Sequence, residues 1–359
     1  MAKVKVLSPG TLLLDLLKDP DRKPVLWMIK EIIYLSFVYK CFPRQYFSAY
    51  LFKKWRTNIK DFFPCQFLYD KIKPFINEND VREVLENKLY FDFFYSQFNI
   101  SLPKIVMYNH RKMFVAGKKA IKISSVQDFK LLLEEMFKQN PSNDSVIVKR
   151  TYWSYGGDKI FKIYVDQITK EPLIIEELYT EVIKSGFLFQ ETVKQHPDLN
   201  KLNPSSLNTI RFDTFINPDG KIEILSGYIR MSITNIHVDN ISSGGCFVGI
   251  DLNTGKLKKI AYLTFKNYGV KVLTAHPETN TVFEDFTVPL FTEAKEFVLR
   301  TASFMPGLRL VGWDVAIGES GPVLIEGNSD YDISGNDVAD DGYRANPVFR
   351  KVLHELKYL

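Results

Sequence analysis

Apolar positions in the first 80 residues recur at roughly helical spacing and are interrupted by prolines. Trp27, Ile32, Ile33, Phe37, Tyr46, Phe47, Tyr50, Leu51 and Phe52 mark the apolar faces. Pro20, Pro24, Pro43, Pro64 and Pro74 cut the run into short helices. Asn79 is placed to cap a further helix ending at Phe98. A turn at Ser101–Leu102–Pro103 and a strand from Lys104 to Tyr108 follow. Ser125 caps a helix running to Gln139, with Phe129, Leu132, Leu133 and Met136 as its inner stripe.

After Pro141 the pattern changes to strands. Val146–Ile147–Val148 is a short apolar run, and Lys159 to Val165 alternates. Thr209 to Ile216 and Lys221 to Ile233 read as strands, joined as a hairpin by the turn Asn217–Pro218–Asp219–Gly220. Pro289 to Phe304 reads as a helix, and two final strands flank Gly318–Glu319–Ser320–Gly321. The pattern predicts an α+β chain with antiparallel sheets. It divides into a helical amino-terminal region at 1–80, a first α+β subdomain at 81–190 and a carboxyl-terminal subdomain at 191–359.

Composition changes this picture in one place. With 45% hydrophobic and 25% charged residues the chain has ample core. Its net charge of +5 is uneven, because residues 1–60 hold 12 Lys/Arg against 4 Asp/Glu. That excess suits an anionic surface, either a membrane leaflet or a polyanion; a solvated helical face is the alternative. The three cysteines, Cys41, Cys65 and Cys246, form neither a disulfide framework nor a metal knuckle. The apolar run Ile32–Tyr39 is too short to span a bilayer, and the first residues lack a signal-peptide core. A cytoplasmic protein, peripheral to a membrane at most, is expected.

The candidate chemistry gathers near the carboxyl end, in VGWDVAIGESGPVLIEGN. A hairpin centred on Ser320 sets Asp314 opposite Glu326, roughly 4.5–5.5 Å apart at Cβ, where like charges repel. Asn328, two residues on, points the same way while the chain stays extended. Two carboxylates and an amide oxygen suit Mg²⁺, a hard cation that shares its shell with phosphate. Otherwise Asp314 caps a bulge and Asn328 forms a turn. Upstream, Lys149 leaves an apolar strand beside the loop Trp153–Ser154–Tyr155–Gly156–Gly157, which could close over phosphates. Arg211 and Arg230 lie on neighbouring strands, with Asn240 and Gly244–Gly245 beyond. Two guanidinium groups can clamp phosphate or carboxylate oxygens, or else pair with Asp213 or Glu223.

In this order the pieces resemble an ATP-grasp enzyme, and within that superfamily the alpha-L-glutamate-ligase-related or sugar-transfer-associated members. QHPDLNKLNPSSLNTIR, VDNISSGG and LRLVGWDVAI…GPVLIEGN are similar to that family's motifs, over roughly residues 85–350. The resemblance implies the ATP-grasp fold, in which two α+β subdomains grip ATP, here preceded by the helical region. It implies that Lys149 and Lys88 contact ATP phosphates and that Trp153, Ser154, Gly156 and Gly157 belong to the lid. Gln190, Glu191, Thr192 and Val193 would form the adenine hinge. For ribose it leaves His196, Asp198 and Asn208 as candidates. Arg211, Arg230 and Asn240 would face the transferred phosphoryl group, and Asp314, Glu326 and Asn328 would bind one or two Mg²⁺. The sequence departs from the pattern in its helical first 80 residues and in the acidic run Asp330 to Asp337, which would suit entry of a cationic amine.

The implied reaction joins a carboxylate to an amine. ATP converts the carboxylate into an acyl phosphate, the amine displaces phosphate, and ADP remains. Family context suggests a glycan uronic acid or an amino acid as substrate, in capsule or cell-envelope polysaccharide biosynthesis. A kinase acting on a hydroxyl and a non-catalytic nucleotide-binding protein are the alternatives. No nucleic-acid motif accompanies the basic residues, so no nucleic-acid partner is expected.

Overall fold

The computed structural model describes residues 6–152, 159–233 and 244–358. These residues divide into two compact units. The larger comprises residues 1–82, 195–322 and 327–359; the smaller comprises Glu83–Lys194 and Val323–Glu326.

The smaller unit is built on six strands: β1 (Ile105–His110), β2 (Met113–Ala116), β3 (Lys119–Lys122), β4 (Ser145–Arg150), β5 (Ile160–Tyr164) and β6 (Gly186–Glu191), ordered β3-β2-β1-β6-β4-β5. Every neighbouring pair in this sheet is antiparallel. Helices Val126–Gln139 and Pro172–Val182 share its core: Phe129, Leu133, Ile175 and Leu178 pack with Val146, Val148, Phe187 and Phe189. Residues 146, 148, 187 and 189 alternate along β4 and β6, so Ile147, Lys149, Leu188 and Gln190 face the other side of the sheet. Ser125 makes the predicted cap as a full capping box with Asp128.

One helix was expected from Asn79 to Phe98. Instead Glu83–Glu86 and Lys88–Tyr95 are separate helices. The Asn87 side chain accepts from the backbone amides of Leu89 and Tyr90, and so starts a new helix in mid-pattern. The Lys88 amide, left over at that restart, donates to the Thr151 carbonyl at 2.8 Å.

The larger unit carries β7 (Thr209–Ile216), β8 (Ile222–Ser232), β9 (Gly245–Ile250), β10 (Leu257–Leu263), β11 (Val272–Leu273), β12 (Leu310–Gly318) and the two ends of β13 (Gly321–Asn328), whose middle, Val323–Glu326, is counted with the smaller unit. Their order is β11-β10-β9-β8-β7-β12-β13. Helix Phe291–Ser303 packs against this sheet through Phe291, which meets Phe212. The first 80 residues are helical, as expected. They include α1 (Pro9–Lys18) and α2 (Val25–Tyr39), and their apolar side chains join the sheet's cores. Leu16, Met28, Leu35, Tyr46, Tyr50 and Phe52 pack with Tyr228, Phe247 and Tyr262. Phe63, Leu68, Ile72 and Ile76 pack with Phe215, Leu225 and Leu310. Each such fully buried aromatic or aliphatic side chain stabilises by about 1.5–3 kcal/mol before entropy is counted. Arg56 ties this region down, reaching Asp341 at 2.5 Å and the Tyr262 hydroxyl at 2.6 Å.

Candidate active site

In the smaller unit, a lysine far back in the chain meets a glutamate near its end. Lys88 opens its helix, is buried, and places Nζ 2.9 Å from Glu326 Oε1. One turn later, at the spacing that keeps side chains on one helical face, comes Asp92. The Gln190 amide donates to Asp92 Oδ2 at 3.4 Å and to the Pro103 carbonyl at 3.1 Å. Burial pushes the Asp92 carboxyl up to about 6, against the pull of Lys149 and of the Gln190 hydrogen bond. Lys149 is itself buried on β4, opposite Leu188 of β6 and Ile160 of β5. Within the smaller unit Lys88 thus meets Glu326, and Lys149 and Gln190 act on Asp92. Asp92 was not foreseen, although its spacing from Lys88 was a readable signal.

The next residues run along the end of β6. Gln190 pairs with Ile105 on one side and Ile147 on the other, which keeps its backbone within the sheet. The Glu191 amide donates to the Lys104 carbonyl and its carboxylate accepts from Lys104 Nζ, both at 2.9 Å. Thr192 meets Ser145, hydroxyl to hydroxyl, at 3.1 Å, and Thr192 and Val193 lie beyond the strand. A cleft of about 780 Å³ in this unit is lined by Asp92, Phe93, Lys104 and Tyr108, among others. That is the size of a small-ligand cleft.

In the larger unit the two arginines pair with neither Asp213 nor Glu223 but converge on Asp314. Arg211 lies directly across the ladder from it. Its Nε reaches Asp314 Oδ1 at 2.5 Å, and a second guanidinium nitrogen reaches Oδ2 at 3.0 Å. Arg230 meets the same Oδ2 at 2.8 Å and also donates to the Thr209 hydroxyl, its cross-strand neighbour. Burial alone would raise the Asp314 pKa, but Arg211 and Arg230 together hold the carboxyl below its ordinary value. Burial disfavours the Arg211 charge, but Asp314 and its neighbours keep the guanidinium firmly protonated. Asp213, two residues along β7, instead accepts from the Tyr343 hydroxyl at 2.7 Å. Burial pushes its carboxyl up to about 7, partly offset by Tyr343 and Arg211. Glu223 accepts from Asn217 and pairs with Lys351 and Lys221.

The three ribose candidates each have a local task. His196 caps helix Pro197–Leu202, its Nδ1 accepting from the Asp198 amide at 3.2 Å. Asp198 pairs with Lys201 at 2.6 Å. Asn208 is fully buried and donates to the carbonyls of Leu199 and Asn203. The acidic run is also satisfied from within. Asp330 pairs with Lys73 at 3.4 Å and Arg82 at 3.2 Å, and Asp332 accepts from the Ser334 amide and the Cys65 thiol. Asp337 accepts from the amides of Phe63 and Tyr343. Trp153, Ser154, Gly156, Gly157 and Asn240 lie outside the described residues.

As metal donors, Asp314, Glu326 and Asn328 offer hard oxygens. Among the described residues no three His, Cys, Asp or Glu side chains gather as a metal cluster. Carboxylate and amide oxygens of this kind suit Mg²⁺, which commonly keeps water and phosphate in its shell. Glu326 would share its carboxylate with Lys88, and Asp314 would share its own with the arginines.

The chain matches the sugar-transfer associated ATP-grasp family over residues 68–348, and it belongs to that family. The α+β architecture with two antiparallel sheets is accordingly an ATP-grasp fold. No curated protein matches. Among solved structures, D-alanyl-alanine synthetase A of Vibrio cholerae O1 biovar eltor is 14% identical with a TM-score of 0.42, covering 76% of this chain and 66% of its own. The D-cycloserine synthetase DcsG is 9% identical with a TM-score of 0.44, covering 78% and 73%. Biotin carboxylase of Campylobacter jejuni is 7% identical with a TM-score of 0.45, covering 77% and 47%.

Proposed function

We propose that this chain is an ATP-dependent carboxylate–amine ligase, forming an amide through an acyl phosphate. Its acid would be a glycan uronic acid or an amino acid, in the assembly of a capsule or cell-envelope polysaccharide. Family membership supports the class of chemistry. The observation that carries the reading is the buried Lys88 held against Glu326, 238 positions away in sequence. Burying the Lys88 ammonium carries a desolvation penalty, and the partly exposed Glu326 holds that charge in place for a charged ligand.

In this reading Lys88 and Lys149 hold ATP phosphates, and the backbone of Glu191 to Val193 receives adenine. Thr192 and Val193, outside the ladder, have the more accessible backbone groups. Arg211 and Arg230 balance charge on the transferred phosphoryl group, Asp314 fixing their planes by bidentate contact. Glu326, Asn328 and Asp314 would hold Mg²⁺, which would supply positive charge to neutralise the phosphates. Activation is needed because a carboxylate oxygen is a poor leaving group toward an amine at neutral pH, whereas phosphate leaves readily. Asn240 and the glycine-rich stretch Trp153 to Gly157 keep their proposed roles beside the phosphoryl group and as the lid.

The test is ADP release with Mg-ATP over a panel of uronic and amino acids, each combined with a panel of amines. ADP appearing only when acid and amine are both present supports ligation. ADP release that follows a polyol without any amine would identify a kinase instead. Binding of Mg-ATP without turnover on any pair would leave a nucleotide-binding protein.

A further inference from the structure

Among the described residues, 14 of the 23 exposed large hydrophobic side chains lie between Val6 and Trp55. They concentrate on α1 and α2. Helix α2, VLWMIKEIIYLSFVY, is apolar nearly all round, and only Met28 and Leu35 are buried in the protein. A helix of that composition is normally covered on every side or lies in lipid. Leu26, Ile33 and Phe37 fall on the face opposite Met28 and Leu35, at 75%, 63% and 85% exposure. Trp27 and Tyr34 flank them, both exposed. The helix has two charged residues. Glu31 is turned inward, bound by Lys23, Trp27 and Tyr46. Lys30 alone faces out. On α1, Leu13, Leu14 and Leu17 form a second exposed apolar stripe.

The charges around these helices are one-sided. Lys23, Lys53 and Arg56 are themselves buried and are used up in ion pairs with Glu31, Asp19 and Asp341. The exposed charged residues between 6 and 60 are Lys18, Lys30, Lys40, Arg44, Lys54 and Lys60 against Asp21 alone. The folded surface is therefore more one-sidedly basic than the sequence of the region.

We infer that α1 and α2 form an interfacial docking surface for an anionic lipid bilayer. At 15 residues α2 is about 22 Å long, short of the roughly 30 Å hydrocarbon core, and no helix of the described residues can cross it. The helix lies in the interface with Leu26, Ile33 and Phe37 among the acyl chains. Trp27 and Tyr34 sit at headgroup level, and the cations pair with lipid phosphates. A second copy of the chain is the poorer occupant, since a self-complementary contact would bring two sets of uncompensated cations together. These helices also lie before residue 68, where the family match begins. The inference stands apart from the ligase reading.

The full-length protein is floated with phosphatidylcholine vesicles and with vesicles also containing phosphatidylglycerol. It should float with the anionic vesicles and at least about tenfold less with the neutral ones, losing binding as salt is raised. Vesicle binding should shift Trp27 emission to the blue, resolved by difference against W27F. The triple variant L26S/I33S/F37S should lose at least about tenfold in binding while keeping its circular dichroism spectrum and ATP turnover. K30E should weaken binding to anionic vesicles alone. Absence of flotation with either vesicle overturns the inference. So does a stable dimer in solution that the triple variant dissolves, which would make the face a protein interface.

Discussion

Asp314 in the larger unit is met by two guanidinium groups and retains 4% side-chain exposure, whereas Glu326 in the smaller unit is met by one ammonium and retains 27%. Both were expected to bind metal, and both are preceded by a cation that could instead neutralise them. The difference lies in what each carboxylate does for the fold. Asp314 joins three strands, since Arg211 is on β7 and Arg230 on β8. Glu326 reaches a helix start through a single contact. A buried charge tied to several partners is costly to remove, and a partly open one is cheaper to remove and available to a ligand.

The comparison breaks first at Asp314. Asp314→Ala leaves two guanidinium groups in the sheet without their shared acceptor, and should lower unfolding free energy by about 3–5 kcal/mol. Denaturant titration measures this. A wild-type midpoint for Asp314→Ala would mean the carboxylate is not structural and would return it wholly to the metal. Glu326→Gln should act mainly on turnover. It removes a charge without removing volume and keeps an oxygen for the buried Lys88 ammonium, so stability should fall by about 1–3 kcal/mol, less than for Asp314→Ala. ATP turnover should fall about 100- to 1,000-fold, as when a phosphate-stabilising group is lost. ADP release and denaturant titration on the same preparations separate the two effects.

Much of the larger unit's scaffold is legible from alternation and turn chemistry. Strands β7 and β8, their Asn217–Gly220 turn, helix Phe291–Ser303 and the Ser125 cap appear close to where pattern puts them. What pattern does not carry is pairing over long separations. Nothing near Arg211 says that its acceptor lies 103 residues on, because the partner is set by which strands become neighbours. Asp213 is closer in sequence and loses, since adjacent strand positions put β7 side chains two apart beside different neighbours. The expectation of strands after Pro141 fails at Pro172–Val182, although Ile175, Leu178, Tyr179 and Val182 give it a clear helical stripe. Strands β2, β3, β9 and β10 are missed for other reasons: lysines in β3 and β10 blur the alternation, and β2 and β9, MFVA and GCFVGI, are apolar throughout and do not alternate. In the candidate site, Lys88 meets Glu326 and Gln190 meets Asp92, while His196 caps a helix, Asp198 pairs with Lys201 and Asn208 donates to the carbonyls of Leu199 and Asn203.

A pH series sharpens the same contrast. Asp213 is raised by burial to about 7, so the native state holds a proton there that the unfolded chain releases near pH 4. Its contribution is present below that lower value and is lost as pH rises toward 7. Asp314, held low, works the other way: its contribution is present above the unfolded carboxylate value near pH 4 and is lost as pH falls below it. Asp213→Asn removes the titration while leaving an oxygen for the Tyr343 hydroxyl. Relative to wild type it should gain about 1.4 kcal/mol per pH unit between roughly pH 4 and 7. Unfolding free energies at pH 5 and pH 7 decide it, and parallel stabilities at the two values would place the Asp213 pKa outside that window.

The smallest effect is expected at Asp330, where the acidic run first suggested an entry for a cationic amine. Its carboxylate is already engaged by Lys73 and Arg82, and its side chain is 46% exposed. Exposed pairs of this kind contribute about 0–1 kcal/mol. Asp330→Asn should therefore cost less than about 1 kcal/mol in stability. It should also leave the amine KM within about twofold, because a carboxylate neutralised by two neighbours has little field left to attract a third cation. A tenfold rise in amine KM with unchanged kcat would mean that Lys73 and Arg82 give way when the amine arrives. The run would then belong with Glu326 as charge kept for a ligand, and not with Asp314 as charge spent on the fold.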